Sequence, residues 1–167
     1  AEAKVDFGPR MKGLEASCAH AAAQPLSFQP GTRWEYSVGI DIIGRVLEVI
    51  TGQTLDRVFQ DEVFDPLGMK DTFFAVPKAK LDRFADCYTK AEEEPLKLLD
   101  AAEDSAFLEG NVTCLSGGGG LCSTLDDYMR FGEMIRRGGK LGKARLLGPR
   151  TLEFMRRNHL PGDIASM

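Results

Sequence analysis

Tyr36 stands in the run Pro30-Gly31-Thr32-Arg33-Trp34-Glu35-Tyr36-Ser37-Val38, directly ahead of an amphipathic helical pattern. A tight Pro-Gly turn that delivers a phenol to the mouth of a helix would hold a proton shuttle at a fixed point, although a tyrosine after a turn is more often a core or interface residue. Tyrosine ordinarily titrates at roughly pH 10, so at neutral pH it serves as a base only beside a cation. No serine in the chain has a lysine three residues later. If Tyr36 is catalytic, its nucleophile therefore lies outside these 167 residues.

Ser116-Gly117-Gly118-Gly119-Gly120-Leu121 is a second place where chemistry is conceivable. Consecutive glycines before a helix can cradle a phosphate on backbone N–H groups. This loop lacks the lysine of G-x-x-x-x-G-K-[ST], and it is not G-x-G-x-x-G with a later acidic ribose ligand. Its expected role is close backbone approach, either to packing or to a substrate. Ser116 fails as a nucleophile elbow, because Cys114 stands where G-x-S-x-G needs its first glycine. His159, beside Pro161-Gly162, reads as a helix-end cap rather than a base.

Cys18, Cys87, Cys114 and Cys122 form no C-x-x-C pair, and with His20 and His159 they give no zinc-like spacing. No metal or cofactor is expected, and all four are expected to be reduced, half-buried thiols. Reduced thiols favour a cytoplasmic setting, while a signal peptide on the parent polypeptide would make the setting periplasmic. The net charge of −4 argues against nucleic acid, which needs clustered cations. Arg136-Arg137 and Arg156-Arg157 read as solvated helix ends. No apolar run approaches the ~18 residues of a membrane span.

The elements that must position these residues are mostly helical. Residues 10–24 read as a helix ended by Pro25, and 25–36 as a loop. Over 37–51, Ile40, Ile43, Leu47 and Ile50 recur at helical spacing, with Gly52 as the C′ residue. Thr54 is placed to cap a next helix bearing Leu55, Val58, Phe59 and Val63, which Pro66 should end by pushing Asp65 out of the α region. Short strands are expected near 72–76 and 84–89, with Glu92-Glu93-Glu94-Pro95 as an exposed turn. Ser123 or Thr124 should cap a helix that runs to Arg137 and stops at Gly138-Gly139. Pro149 opens a last helix ending near Asn158.

Four segments taken in order carry a resemblance. They are Pro30-Gly31-Thr32 with Tyr36-Ser37-Val38, Asp65-Pro66-Leu67-Gly68-Met69, Ser116 to Thr124 with Asp127-Tyr128, and Asn158-His159-Leu160-Pro161-Gly162. The chain resembles the β-lactamase-related serine hydrolases, which include class C β-lactamases, DD-peptidases and esterases. The resemblance implies an acyl-enzyme mechanism in which a serine of S-x-x-K attacks the acyl carbon, and the lysine and a second-motif tyrosine exchange the proton. It makes Tyr36 that tyrosine, with Ser37 and Val38 completing its motif. It also implies that Trp34, Ser37, Val38, Ser116, Gly117, Gly118 and Gly119 border the acyl pocket. Val38 stands where β-lactamases place an amide-contacting asparagine, so the esterase branch is favoured over β-lactamase or D-alanyl-D-alanine carboxypeptidase.

S-x-x-K and a late K-[ST]-G, H-x-G or W-G-G are both missing from the chain. The resemblance places the first motif before Ala1 and the third beyond Met167. The expected architecture is mainly α with a few short strands: residues 1–167 as one helical subdomain of the β-lactamase/transpeptidase-like α+β fold. Expected partners are a small ester or amide substrate and the remainder of the parent polypeptide. A helical subdomain parted from its sheet exposes an apolar face, which also makes a homodimer an expectation. A non-catalytic helical binding or scaffold module is the competing reading.

Overall fold

The computed structural model describes residues 12–32, 34–90 and 96–159. The first two residues of the expected helix 10–24, the turn Glu92 to Pro95, and Pro161-Gly162 lie outside the described residues. The described chain is mainly helical, with two short hairpins.

Helix α1 runs Gly13–Ala22 and α2 runs Gly39–Thr51. Gly52 closes α2 in the left-handed conformation (φ 68°), and its N–H donates to Glu48 O at 2.9 Å. α2 crosses α1 and the next helix at Gly44, where a Cβ would meet Leu55 Cδ2 at 2.9 Å and Leu14 Cδ1 at 3.3 Å. The inner arc of α2 is therefore Asp41, Gly44 and the half-buried Leu47 and Glu48. Ile40, Ile43, Val46, Val49 and Ile50 face outward and are exposed. The apolar periodicity identifies the helix correctly, but the described residues pack against its other side.

Helix α3, Leu55–Phe59, buries Leu55 and Val58. Thr54 occupies the N-cap position without a side-chain hydrogen bond, and the Leu55 N–H is instead accepted by Glu48 Oε1 at 3.2 Å. Pro66 does not end the helix. A π-helical turn, Gln60–Phe64, precedes a last turn α4, Asp65–Leu67, and Asp65 keeps α geometry (φ −63°, ψ −48°). Widening the ladder by one residue gives Pro66 a place at a helix start, where its missing N–H leaves no gap. Gly68 (φ 69°) makes the stop instead.

The expected strand 72–76 is reduced to two isolated bridges, Phe73 with Cys122 and Val76 with Leu108. A 3₁₀ turn, Lys78–Arg83, leads to β1 (Cys87–Thr89), which pairs antiparallel with β2 (Lys97–Asp100). Helix α5, Leu125–Arg136, starts at Thr124, whose Oγ1 accepts from the Asp127 N–H at 3.3 Å. A hairpin of β3 (Lys140–Leu141) and β4 (Ala144–Arg145) follows, then α6, Pro149–Met155.

Two apolar clusters hold these elements together. One joins Phe64, Leu67 and Met69 to Met134 of α5. The other joins Leu14, Leu55 and Phe74. Phe59 packs against both, edge-on to Phe64 with centroids 5.9 Å apart and tilted on Phe74 at 5.7 Å.

Candidate functional site

Tyr36 sits three residues ahead of α2 with its side chain 86% exposed, and its hydroxyl makes no hydrogen bond among the described residues. Trp34 is 56% exposed, Ser37 is exposed, and Val38 is half-buried at the N-cap of α2. Val38 has no side-chain group to cap the helix, but its carbonyl accepts from the N–H groups of Asp41 (3.0 Å) and Ile42 (3.2 Å). The Tyr36 segment therefore leads directly into the first turn of α2, with the phenol exposed ahead of it.

The glycine loop lies on that same first turn. Ser116 Oγ donates to Asp41 Oδ1 at 2.5 Å, and the Gly118 N–H donates to the same oxygen at 3.3 Å. Ser116 Oγ in turn accepts from the Gly119 N–H at 3.1 Å, and Ser116 O accepts from the Gly120 N–H at 2.9 Å. A Cβ on Gly117 would lie 3.1 Å from Ile40 O, and one on Gly118 would lie 3.0 Å from Asp41 Oδ2. One on Gly120 would lie 2.6 Å from Ser116 O. Gly117 and Gly120 are small because backbone meets backbone, and Gly118 because the Asp41 carboxylate lies against it. Gly119 has open space where its Cβ would stand.

Both ends of the loop are pinned. On the entry side the Gly13 N–H donates to Thr113 O at 2.9 Å, and Ser17 Oγ lies 3.8 Å from Cys114 Sγ. On the exit side Phe73 and Cys122 exchange backbone hydrogen bonds of 2.9 and 2.8 Å. Just beyond, the buried Asp127 carboxylate accepts from the Asp71 N–H (2.6 Å) and Thr72 Oγ1 (3.0 Å). The structure therefore joins the Tyr36 segment to Ser116, Gly117 and Gly118 through one helix turn. Cavities of about 310 and 290 Å³ open beside Phe64 and Phe73, and neither is lined by Tyr36, Trp34 or residues 116–119.

Other reactive groups fall away. Burial pushes the thiols of Cys18, Cys114 and Cys122 up, away from the nucleophilic thiolate. Those three are half-buried as expected, whereas Cys87 is exposed on β1. His159 Nε2 lies 2.7 Å from Phe154 O, and its ring stacks edge-on against Phe154, which is the cap role read from its position. No group of three or more His, Cys, Asp or Glu side chains is placed to hold a metal among the described residues. No helix among them is long and apolar enough to cross a membrane.

Sequence reasoning missed Asp41. It is 6% exposed, and its signal was a single carboxylate in the run Gly39-Ile40-Asp41-Ile42-Ile43, on the helix arc shared with Gly44 and Glu48.

A family model described as beta-lactamase matches residues 2–166. Esterase EstB of Burkholderia gladioli is 34% identical over 137 residues, covering 74% of this chain and 34% of that protein. Lovastatin esterase of Penicillium rubens (strain ATCC 28089 / DSM 1075 / NRRL 1951 / Wisconsin 54-1255) is 34% identical over 148 residues, covering 85% of this chain and 35% of its own length. Among solved structures, EstCE1, a hydrolase with promiscuous acyltransferase activity, superposes with a TM-score of 0.70 at 32% identity. That superposition covers 87% of this chain and 40% of the other. The chain spans about a third of the length of the curated relatives it matches.

Proposed function

Because the chain belongs to the beta-lactamase family, we propose that it is the helical subdomain of a serine hydrolase that acts on small acyl esters, with Tyr36 as its proton-transfer residue. The observation that carries the reading is the Tyr36 phenol standing free at the mouth of α2, with the glycine loop clasped to the same helix turn. The esterases among the relatives support an acyl-transfer chemistry. Val38, with no hydrogen-bonding side chain in the third place of the Tyr36 motif, favours an ester over a β-lactam.

In this reading a serine outside the chain attacks the ester carbonyl, and its proton passes to a lysine–Tyr36 pair. The tetrahedral oxyanion collapses, the C–O bond breaks, and the alcohol leaves with that proton. Water then attacks the acyl-enzyme and returns the free acid and the serine. Trp34, Ser37 and residues 116–119 form one wall of the acyl pocket.

The remainder of the polypeptide is the proposed partner of two outward apolar rows. One is Ile40, Ile43, Val46 and Ile50 on α2, and the other is Leu125, Tyr128 and Met129 on α5. Large exposed apolar rows on a small domain call for a covering surface. The test compares p-nitrophenyl butyrate with a chromogenic cephalosporin on the full-length polypeptide. Faster turnover of the ester is expected, and faster turnover of the cephalosporin would overturn the ester assignment.

A further inference from the structure

We propose that Asp41 is a positioning residue for acyl transfer: its carboxylate clasps the glycine loop onto the first turn of α2 and so fixes the loop relative to Tyr36. The assignment rests on the serine hydrolase reading above.

Asp41 is buried, and its partners among the described residues are two loop donors, Ser116 Oγ at 2.5 Å and the Gly118 N–H at 3.3 Å. A carboxylate is costly to bury, and hydrogen bonds to it are stronger than neutral ones. A leucine in this slot would bury apolar area at lower cost, but it would let the loop slide. The acid instead sets a register, since each donor must meet one oxygen. Ser116 passes the constraint on, because its Oγ also accepts from the Gly119 N–H at 3.1 Å. The loop can lie this close because Gly117 and Gly118 present no Cβ to Ile40 O and Asp41 Oδ2. Asp41 lies in the first turn of α2 and Tyr36 stands three residues ahead of that helix, so the loop is anchored at the helix end from which the phenol-bearing segment leaves. Misplacement of a catalytic wall by about 1 Å can lower a rate by about a hundredfold.

The experiment uses the full-length polypeptide with p-nitrophenyl butyrate as probe, and compares Asp41→Ala, Asp41→Asn and Ser116→Ala. Asp41→Ala should lower kcat by about a hundredfold with KM within about threefold of wild type. Asp41→Asn should recover kcat to within about fivefold, because its amide oxygen accepts the same two hydrogen bonds. Amide hydrogen exchange gives a readout independent of turnover. Gly118 and Gly119 should exchange faster in Asp41→Ala but not in Asp41→Asn, with α2 equally protected in both. Wild-type kcat in Asp41→Ala overturns the assignment, and so does a loss that Asp41→Asn does not recover. If Asp41→Ala fails to fold, Ser116→Ala removes only one donor and should still lower kcat about tenfold while freeing the Gly119 amide. Unchanged kcat there overturns the assignment. A wild type inert toward esters sinks the hydrolase reading and the positioning role together, whereas an active wild type with a fully active Asp41→Ala sinks only the latter.

Discussion

Asp41 Oδ1 and Ser116 Oγ meet at 2.5 Å although 75 residues separate them in the chain. The contact joins the segment that presents Tyr36 to the loop that supplies four glycines. A free phenol thus stands three residues ahead of the helix whose first turn seats the glycine loop.

Tyr36→Phe in the full-length polypeptide should lower ester hydrolysis by about a hundredfold or more, the scale of a lost general acid–base. Tm should stay within a degree or so, because the side chain is 86% exposed and surface changes cost little. Steady-state kinetics beside a thermal melt checks both, and near-normal turnover would remove Tyr36 from the mechanism.

The glycines of the loop should respond unequally. Gly117→Ala drives a Cβ against Ile40 O, a backbone atom, and should destabilise by about 1–3 kcal/mol. Gly119→Ala enters open space at an ordinary φ and should change stability by less than about 0.5 kcal/mol. Equal losses in denaturant titrations would contradict this account of the loop.

Leu55 is fully buried between α1, α2 and Phe74. Leu55→Ala should cost about 2–5 kcal/mol, the range for an aliphatic core truncation. Urea unfolding reads it directly, and a loss below about 1 kcal/mol would mean that this cluster is loosely packed.

Glu133 takes ion pairs from Arg136 Nε at 2.5 Å and from Arg137, and hydrogen bonds from those guanidiniums hold its carboxyl down to about 2. A depressed native pKa contributes stability above the unfolded value, about 4.3, and that contribution is lost as pH falls toward 2. The groups are exposed, so the effect is small and weakened by salt. The gap in Tm between wild type and Glu133→Gln should therefore be level above about pH 5 and close below it. A gap that widens on acidification would refute the assignment.

The outward row of α2 carries an expectation for the 167-residue chain expressed by itself. Ile43, Val46 and Ile50 should drive self-association, and Val46→Lys should return the chain to a monomer. Sedimentation velocity decides it, and a wild-type monomer at high concentration would argue against an unmet partner for this face.

Local signals were legible in the sequence. Gly52 and Pro149 act through their own backbone and Thr124 through a side-chain bond three residues away, and each marks a helix boundary where the chain has one. Features set by distant partners were not. Thr54 reads as a cap, but its side chain accepts no hydrogen bond from the helix, and Glu48 takes the Leu55 N–H. Pro66 reads as a stop, but the π turn before it shifts the ladder so that the proline fits. The isoleucines of α2 give the right period without saying which face the rest of this chain covers. The Asp41 contact was not legible, because its partner is brought to it by tertiary structure. The resemblance pointed to the Tyr36 segment and the loop, but not to the Asp41–Ser116 bond that ties the loop to α2.

The π turn at Gln60–Phe64 has a further effect on how the molecule melts. It rotates the helix so that residues before it face the Leu14–Leu55–Phe74 cluster and residues after it face Met134. Phe59, just ahead of the turn, touches both clusters. Neither cluster can open without disturbing that ring, so the two halves should unfold in one cooperative transition rather than as separate units.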